Sequence, residues 1–383
     1  DHVGTLPLLM REQPSARVFM TPPTHALGGA LLHNSVNVMK AIRTEQGVPE
    51  YPLFTHREVD TAELRWETRD YERPFEVDYE GKVRVTFYDA VHILGSAGVL
   101  IEADGKKIFY TGDVHFDDHA LMRGAAFPDL EDLDVLITET TRGDAERATH
   151  YTRESEEDRF IATINETLDR GGSALIPVFA IGKTQEVLTM IHDNTERGRL
   201  PEVPIRIGGL STKMTIIYDK FATSSRRRHP GFEILRDMNP NTGSRRKRQE
   251  IHAEPGCIYA LSSGMMTEKT VSNKFARQFI NNPKNSLLFV GYTDPSTPGA
   301  RIKTAERGQS VDLDPELPPV VLDCDVSTFD FSGHAPREQL LDFATKTAAT
   351  RTLLVHGDPG ALAWFRERVP GSEIPGSGKQ VFL

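Results

Sequence analysis

Three of the thirteen histidines lie in settings that favour metal binding or proton transfer. Small residues flank them in the segments VHILGSAG, FSGHAP and LVHGDPG, which contain His92, His334 and His356. Because small neighbours let a ligand or the backbone approach closely, these imidazoles are accessible to a metal ion or a substrate. An Asp-His pair, Asp1 and His2, opens the chain and offers two further ligands. The combination predicts a metal site.

Nitrogen and carboxylate ligands without cysteine are typical of a catalytic Zn²⁺ that keeps one position open for water. The only cysteines, Cys257 and Cys324, form no CxxC pattern, so a thiolate site is not indicated. A site with two metal ions also needs a carboxylate shared by both, which holds the ions about 3.5 to 4 Å apart. Asp113, in the segment YTGD, is the best candidate for this bridge. The same local sequence also suits an aspartate that caps a turn.

Predicted strands lead into three of the candidate residues. The segment KVRVTFYDA alternates apolar and polar residues like a half-buried strand and ends just before His92. GVLIEADGKKIFYTGD predicts two strands joined by a turn at Asp104 and Gly105, and it ends at Asp113. The apolar run LDVLITETT carries Glu139 near its end. Because open α/β folds place their sites at the carboxyl ends of strands, these residues are expected to lie close together.

From about residue 145, strand-like segments alternate with helical ones. SALIPVF precedes GKTQEVLTMIHDN, VPIRIGG precedes STKMTIIYDKFA, CIYALSS precedes VSNKFARQFINN, and SLLFVGY closes the series. This alternation predicts a parallel sheet with crossover helices. The tail then predicts a helix in HAPREQLLDFATKT, a strand in TRTLLVHGD and a helix in PGALAWFRERV.

The composition is that of a globular protein without a membrane span. The chain is 38% hydrophobic and 26% charged, and no apolar run approaches the roughly 18 residues that a span requires. We expect a soluble, cytoplasmic protein, since the two cysteines fit a reducing compartment. The net charge of −10 argues against a surface that is basic overall. Eight basic and two acidic residues lie between Arg226 and Arg248, which favours a solvated face slightly over a nucleic-acid contact.

The motifs taken together resemble those of a known family. DHVG, HILGSAG, YTGD, ITETTRGD, IPVFAIGKTQE, LSSGMM, FVGYTDPSTPGARI, FSGHAP and LVHGD occur in the order found in β-CASP nucleases. These enzymes of the metallo-β-lactamase fold include the cleavage-and-polyadenylation endonuclease, ribonuclease J and Artemis-like DNA nucleases. The resemblance covers essentially the whole chain. It implies an α/β fold in which residues 1–143 and 333–383 form an αββα sandwich and residues 144–332 form an inserted β-CASP domain.

The resemblance also implies the metal ligands. The leading motif of the family is His-x-His-x-Asp-His, and DHVG resembles its second half, so two histidines and the first strands are expected before Asp1. Asp1, which is also expected to act in catalysis, would bind one zinc ion with His2 and His356. His92 would bind the other zinc ion, and Asp113 would bridge the two. Without the upstream histidines, weakened or absent metal binding is expected at the position that His92 would hold.

Further roles follow from the same resemblance. Glu139 would hydrogen-bond and orient His334, which is placed to protonate the leaving oxygen. A carboxylate partner fixes the tautomer of a histidine and raises its pKa towards a value useful for acid catalysis. The LSSGMM loop would line the substrate cleft, although an ordinary strand-to-helix turn is an open alternative. Four residues would contact substrate phosphate: Ser262, Ser263, Gly264 and Arg301.

We predict a zinc-dependent phosphodiesterase that cleaves single-stranded RNA, with Mn²⁺ as an alternative ion. A DNA nuclease with the same site stays open, because discrimination rests on contacts to the 2′-hydroxyl that sequence does not reveal. A catalytically silent subunit that binds RNA or a nuclease partner is the third hypothesis. It is disfavoured by the retained site residues His92, Asp113, Glu139, His334 and His356. The sequence leaves open whether cleavage is internal or from a 5′ end and whether the chain forms a homodimer.

Overall fold

The computed structural model describes residues 2–78, 80–148, 150–243 and 251–382. Two compact units make up this part of the chain. The first unit contains the chain up to Asp117, Gly124–Glu146 and the chain from His334 onward. The second unit contains Asp118–Arg123 and Arg147–Gly333. Among the described residues, no helix has both the length and the apolar composition needed to cross a bilayer.

The helices and strands follow one another in this order. The first unit begins with α1 (Leu6–Glu12), β1 (Val18–Met20), α2 (Pro22–Gln46), α3 (His56–Glu63), β2 (Trp66–Thr68), β3 (Phe75–Glu76), β4 (Val83–Asp89), β5 (Ala97–Ala103), β6 (Lys106–Tyr110) and β7 (Val135–Glu139). The second unit contains α4 (Arg153–Asp169), β8 (Ala174–Pro177), α5 (Lys183–Glu196), β9 (Ile205–Gly208), α6 (Leu210–Lys220), α7 (Ile234–Met238), β10 (Ile258–Leu261), α8 (Val271–Ala276), β11 (Ser286–Phe289), α9 (Pro298–Thr304), β12 (Ser310–Val311), β13 (Val320–Val321) and β14 (Asp325–Thr328). The first unit ends with α10 (Arg337–Thr347), β15 (Arg351–Val355), α11 (Pro359–Arg368) and β16 (Ser372–Glu373).

A mixed seven-stranded sheet forms the centre of the first unit, in the order β16-β15-β7-β6-β5-β4-β3. The strands from β16 to β6 pair in parallel, and those from β6 to β3 pair antiparallel. The parallel pairing of β15 with β7 ends at Val355 and Glu139, and it joins segments from distant parts of the chain. Strands β4, β6, β7 and β15 therefore run in the same direction, and their carboxyl ends lie at one edge.

The predicted hairpin turn between β5 and β6 is confirmed. Ala103 pairs with Lys106, and Asp104 and Gly105 between them have φ angles of 51° and 75°. Two consecutive positive φ angles are typical of a turn whose twist matches that of the flanking strands, and glycine tolerates this conformation without strain. The turn places β6 so that Asp113 follows shortly after the strand.

The helices that precede residue 64 were not predicted from the sequence. The side chain of Thr21 caps α2 by accepting a hydrogen bond from the backbone of Thr24, and two prolines occupy the first turn. Gly47 ends the helix in the left-handed conformation. A proline at the start and a glycine just past the end are signals from which α2 was predictable. The helices pack around a separate apolar cluster that includes Leu32, Val36, Phe54, Val59 and Trp66.

The predicted parallel sheet of the second unit is confirmed. Its five strands have the order β14-β11-β8-β10-β9, and each neighbouring pair is parallel. All residues of β8, β10 and β11 are buried, as expected for strands covered on both faces. The core on one part of this sheet includes Leu175, Tyr259, Phe275, Phe279 and Phe289.

The second unit also buries a group of charged side chains. Glu186, on α5, is paired with Arg153 and Lys183. Lys183 also donates to the backbone oxygen of Phe331. Burial would raise the pKa of Glu186, but the charges of Arg153 and Lys183 outweigh it and hold that pKa well below its usual range. Glu186 is therefore a carboxylate that neutralises two buried or half-buried cations.

Glu186→Gln is expected to destabilise the second unit by about 3–5 kcal/mol, because it leaves two cations without their counter-charge in a buried setting. The midpoint of urea unfolding measures this loss. Glu154→Gln, on an exposed position of α4, is the matched control and should change the free energy of unfolding by no more than about 0.5 kcal/mol. Equal midpoints for Glu186→Gln and the wild type would contradict the prediction.

Candidate metal centre and active site

Four predicted site residues lie at the common carboxyl edge of the first sheet. His92 follows β4, Asp113 follows β6, Glu139 is the last residue of β7, and His356 follows β15. His334 precedes α10, where the backbone of Ala335 donates to the oxygen of Val114 at 2.7 Å. The structure thus brings residues from five separate segments of the sequence to one place.

Asp113 lies at the centre of this group, with a side chain that is 11% exposed. Its Oδ2 is 3.5 Å from Nε2 of His2 and 3.8 Å from Nε2 of His92. Its Oδ1 is 3.3 Å from Nδ1 of His356. The Nε2 atoms of His2 and His356 are 3.3 Å apart. Three histidines therefore face the two oxygens of a single carboxylate.

The donor atoms of this group suit a divalent metal ion. Single ligand atoms of Asp113, Glu139, His334 and His356 all lie within 4.8 Å of one another. Among the described residues, Asp113 Oδ1 is buried and accepts no hydrogen bond, although Nδ1 of His356 lies 3.3 Å from it. A buried polar atom without a partner is costly, and a cation among the histidines would satisfy it. Nitrogen and oxygen donors without thiolate are also the set that catalytic zinc uses.

Glu139 is fully buried and has both carboxylate oxygens engaged. Oε1 accepts a hydrogen bond from the backbone of Val114 at 2.7 Å, and Oε2 is 2.8 Å from Nδ1 of His334. The first contact holds the backbone next to Asp113, and the second orients the imidazole of His334. Glu139 therefore connects the backbone beside Asp113 to the imidazole of His334.

The electrostatic effect of this pair is reciprocal. Burial would raise the pKa of Glu139, but the hydrogen bond and the charge of His334 outweigh burial and lower that pKa. Burial would lower the pKa of His334, but the hydrogen bond to Glu139 and the charges of Glu139 and Asp113 outweigh it and raise that pKa. Because a raised pKa keeps the imidazole protonated to higher pH, His334 is suited to hold a proton for transfer.

The backbone is strained at two positions of the site. Val91 and His356, neither of which is glycine, have φ angles of 58° and 50°. A β-branched residue such as Val91 rarely adopts this conformation, which costs about 1–3 kcal/mol and persists only where the surroundings enforce it. Such strain clusters at functional sites, and here it lies next to His92 and at His356 itself.

Thr141 is a site residue that the sequence analysis missed. Its Oγ1 is 2.9 Å from Nδ1 of His356, and its neighbour Thr140 donates a backbone hydrogen bond to the oxygen of His356 at 3.1 Å. The hydroxyl thereby helps to set the orientation of the His356 ring. The motif ITETTRGD contains no local signal for this role, because the contact arises from the pairing of β15 with β7.

Thr141→Val is expected to lower zinc affinity about 10-fold to 100-fold, because outer partners of a ligating histidine typically contribute that much. Thr141→Ser keeps the hydroxyl and is expected to retain affinity near that of the wild type. Competition with a chromophoric chelator measures the dissociation constant for each variant. Equal affinities for Thr141→Val and Thr141→Ser would contradict a role for this hydroxyl.

The residues predicted to contact phosphate lie in the second unit. Ser262, Ser263 and Gly264 form a loop directly after β10, and Ser263 Oγ accepts a hydrogen bond from the backbone of Thr267 at 3.1 Å. Arg301, on α9, donates at 3.0 Å to Glu268 and at 2.9 Å to the backbone oxygen of Asp312. A phosphate bound by Arg301 would therefore have to replace an existing carboxylate partner.

Two predictions concern residues that the structure does not describe. Asp1, predicted as a metal ligand, and residues 245–248, part of the basic segment, lie outside the described residues. Within that segment Arg227 departs from the expected solvated face. It is buried, donates to the backbone oxygens of Phe232 and Tyr218, and lies 3.5 Å from Asp219.

Two family models match the chain. Residues 184–302 match the Beta-Casp domain, and residues 319–374 match the Zn-dependent metallo-hydrolase RNA specificity domain. The first match lies within the second unit, and the second begins there and extends into the first unit. Together with the mixed and parallel sheets, these matches confirm the predicted fold class, a metallo-β-lactamase fold with an inserted β-CASP domain.

Individual proteins are similar over nearly the whole chain. Transcription termination factor FttA of Pyrococcus horikoshii is 30% identical over 376 residues, which are 94% of this chain and 56% of that protein. Cleavage and polyadenylation specificity factor 73 of Drosophila melanogaster is 30% identical over 373 residues, 95% of this chain and 51% of that protein. An RNase J-like protein of Methanocaldococcus jannaschii is 28% identical over 366 residues, which are 94% of this chain and 79% of that protein. The chain thus spans about half the length of the first two relatives.

Proposed function

Since the chain belongs to the β-CASP family of metallo-β-lactamase-fold proteins, we propose that it is a zinc-dependent hydrolase that cleaves phosphodiester bonds of single-stranded RNA. The observation that carries the proposal is the group of histidines around Asp113, next to the buried pair of Glu139 and His334. The name of the matched RNA specificity domain supports RNA as the substrate.

The residues that would hold the metal ions are His2, His92, Asp113 and His356, with Asp1 as a further ligand. The carboxylate of Asp113 has histidines on both of its oxygens, which suits a ligand that bridges two ions. Bound zinc supplies a nucleophile at neutral pH, because it lowers the pKa of a coordinated water to about 7. The chain itself supplies the geometry, since His92, Asp113 and His356 follow strands β4, β6 and β15 of one sheet.

His334 is the proposed proton donor to the leaving oxygen of the RNA. Nδ1 of its ring is turned towards Glu139, so Nε2 is the nitrogen that holds the proton to be transferred. Burial would lower the pKa of that imidazole, but the hydrogen bond to Glu139 and its negative charge raise it, which favours the protonated form. A donor of this kind accelerates cleavage of an alkoxide leaving group by about 10²-fold to 10⁴-fold.

We further assign residues 1–143 and 333–383 to the metallo-β-lactamase domain and residues 144–332 to the β-CASP domain. The Beta-Casp match at 184–302 lies inside this range and supports it. Within the inserted domain, four residues are proposed to bind substrate phosphate through hydroxyl, backbone N–H and guanidinium groups: Ser262, Ser263, Gly264 and Arg301. Strand-end loops of this kind offer donors that suit an anion.

Cleavage of matched oligonucleotides tests the proposal. The protein, supplemented with Zn²⁺ or Mn²⁺, is incubated with labelled single-stranded RNA and with DNA of the same sequence. We expect cleavage of the RNA, its loss on addition of a chelator, and its recovery when the metal is restored. Preferential cleavage of the DNA would show that DNA is the substrate. If neither polymer were cleaved, the proposal would be contradicted.

A further inference from the structure

The second unit has a topological switch at its central strand. The chain passes from β8 to β9 and β10 on one side, and then to β11 and β14 on the other side. In open α/β sheets, ligands bind outside the carboxyl ends of the strands at the point where the strand order reverses. Here that point lies at the carboxyl end of β8, between the loops that follow β10 and β11.

Phe179, which follows β8, lies between two glycines at this point. A Cβ atom on Gly264 would be 3.1 Å from Cδ2 of the Phe179 ring, and one on Gly291 would be 3.3 Å from its Cε2. These separations are shorter than ordinary van der Waals contact, so side chains at both positions would press on the ring. The two glycines thereby leave a slot for a half-buried aromatic ring at the switch point.

Tyr292, which directly follows Gly291 in the chain, is a second aromatic residue at this end of the sheet. Its side chain is 61% exposed, which is unusual for so large an apolar surface at the edge of a packed sheet. The backbone below it is anchored, because Lys303 donates to the oxygen of Gly291 at 3.3 Å. Strands β11 and β8 are direct neighbours in the sheet. Phe179 and Tyr292 thus follow two adjacent strands, β8 and β11, at the switch point, and the side chain of Tyr292 is exposed to solvent.

We propose that Tyr292, with Phe179 as the adjoining apolar wall, stacks against a base of the RNA substrate. The proposal rests on the proposed function and adds to it a subsite for the nucleobase. Aromatic side chains bind single-stranded nucleic acid by stacking, and this interaction is tolerant of sequence because every base has a π face. The subsite strengthens RNA binding whichever of the four bases occupies it. This contribution depends on a base being present at one position of the bound strand.

Binding and cleavage by variants of the full chain test the subsite. Tyr292→Leu removes the aromatic face and is expected to raise the dissociation constant for a labelled single-stranded RNA about 5-fold to 150-fold, with a matching rise in KM and little change in kcat. Tyr292→Phe keeps the aromatic ring and is expected to bind the RNA with an affinity near that of the wild type. Phe382→Leu, at another exposed aromatic residue outside the second unit, is the control and should bind like the wild type.

A series of RNAs, each with one abasic ribose at a different position, distinguishes stacking from a structural role. The loss of affinity at each position is measured for the wild type and for Tyr292→Leu. In the wild type, one position is expected to weaken binding as much as Tyr292→Leu does, and at that position the variant should lose nothing further. Equal losses at that position for the wild type and Tyr292→Leu, or unchanged affinity of Tyr292→Leu, would overturn the subsite. A wild type that cleaves no RNA contradicts the proposed function instead, and the binding series still decides the role of Tyr292.

Discussion

Asp113→Asn is expected to abolish RNA cleavage, with kcat/KM reduced about 10³-fold or more. The substitution keeps the size of the side chain but removes the negative charge that faces His2, His92 and His356. A neutral amide is a poor ligand for zinc and cannot bridge two ions in the way a carboxylate does. Loss of the metal removes several kcal/mol of transition-state stabilisation, and each 1.36 kcal/mol is tenfold in rate.

Two measurements on the same preparation separate this effect from misfolding. Elemental analysis is expected to give less zinc per chain for Asp113→Asn than for the wild type, while circular dichroism is expected to be unchanged. Asp117→Asn is the matched control, because this aspartate is exposed and its Oδ1 accepts a hydrogen bond from Gln339 at 2.8 Å. Wild-type cleavage by Asp113→Asn would disprove the bridging role.

His334→Ala is expected to reduce RNA cleavage about 10²-fold to 10⁴-fold, because the leaving oxygen of the ribose then departs without a proton. Bis(p-nitrophenyl) phosphate tests this reason directly. Its phenolate is a good leaving group that needs no proton, so the same variant is expected to lose less than about tenfold on this substrate. The comparison of the two substrates measures the contribution of the proton donor separately from that of the metal site.

The pH dependence of Glu139→Gln tests the same pair from the other side. The hydrogen bond to Glu139 and its charge raise the pKa of His334, so removing the charge lowers that pKa. The protonated imidazole is the active form of a proton donor, and activity falls as the pH rises through its pKa. The alkaline fall of kcat on RNA is therefore expected to begin at a lower pH in Glu139→Gln than in the wild type.

Two results would contradict this assignment. If His334→Ala lost as much activity on bis(p-nitrophenyl) phosphate as on RNA, the residue would not be a proton donor to the leaving group. If the variant instead lost zinc in proportion to its activity, His334 would be a metal ligand. Unchanged zinc content together with the substrate-dependent loss is the outcome that supports the proposed role.

Much of the fold was predictable from local patterns in the sequence. The Asp104-Gly105 turn, the alternating strand before His92 and the strand-helix alternation of the second unit all depend on residues close together in the chain. Local hydrogen bonds and side-chain periodicity determine these features, so a short window of sequence contains the information. Helix α2 was predictable from equally local signals, namely the prolines in its first turn and Gly47 just past its end.

The arrangement within the site depends on contacts that no local window contains. Val355 pairs with Glu139 across more than 200 residues of chain, and this register brings His356 to Asp113 and to Thr141. Arg301 has the sequence context of a phosphate ligand, yet its guanidinium donates a hydrogen bond to Glu268. No sequence pattern links these two residues.

Residue types and their order along the chain were therefore sufficient to select the metal-binding chemistry, the fold class and most of the candidate residues. They did not show which other side chain each of these residues contacts. Periodicity specifies which face of a strand is buried, but the pairing of distant strands fixes which side chains meet. The contact of Thr141 with His356 became visible only in the folded chain, and so did the approach of Gly291, which precedes Tyr292, to the ring of Phe179. The pairing of neighbouring strands sets both.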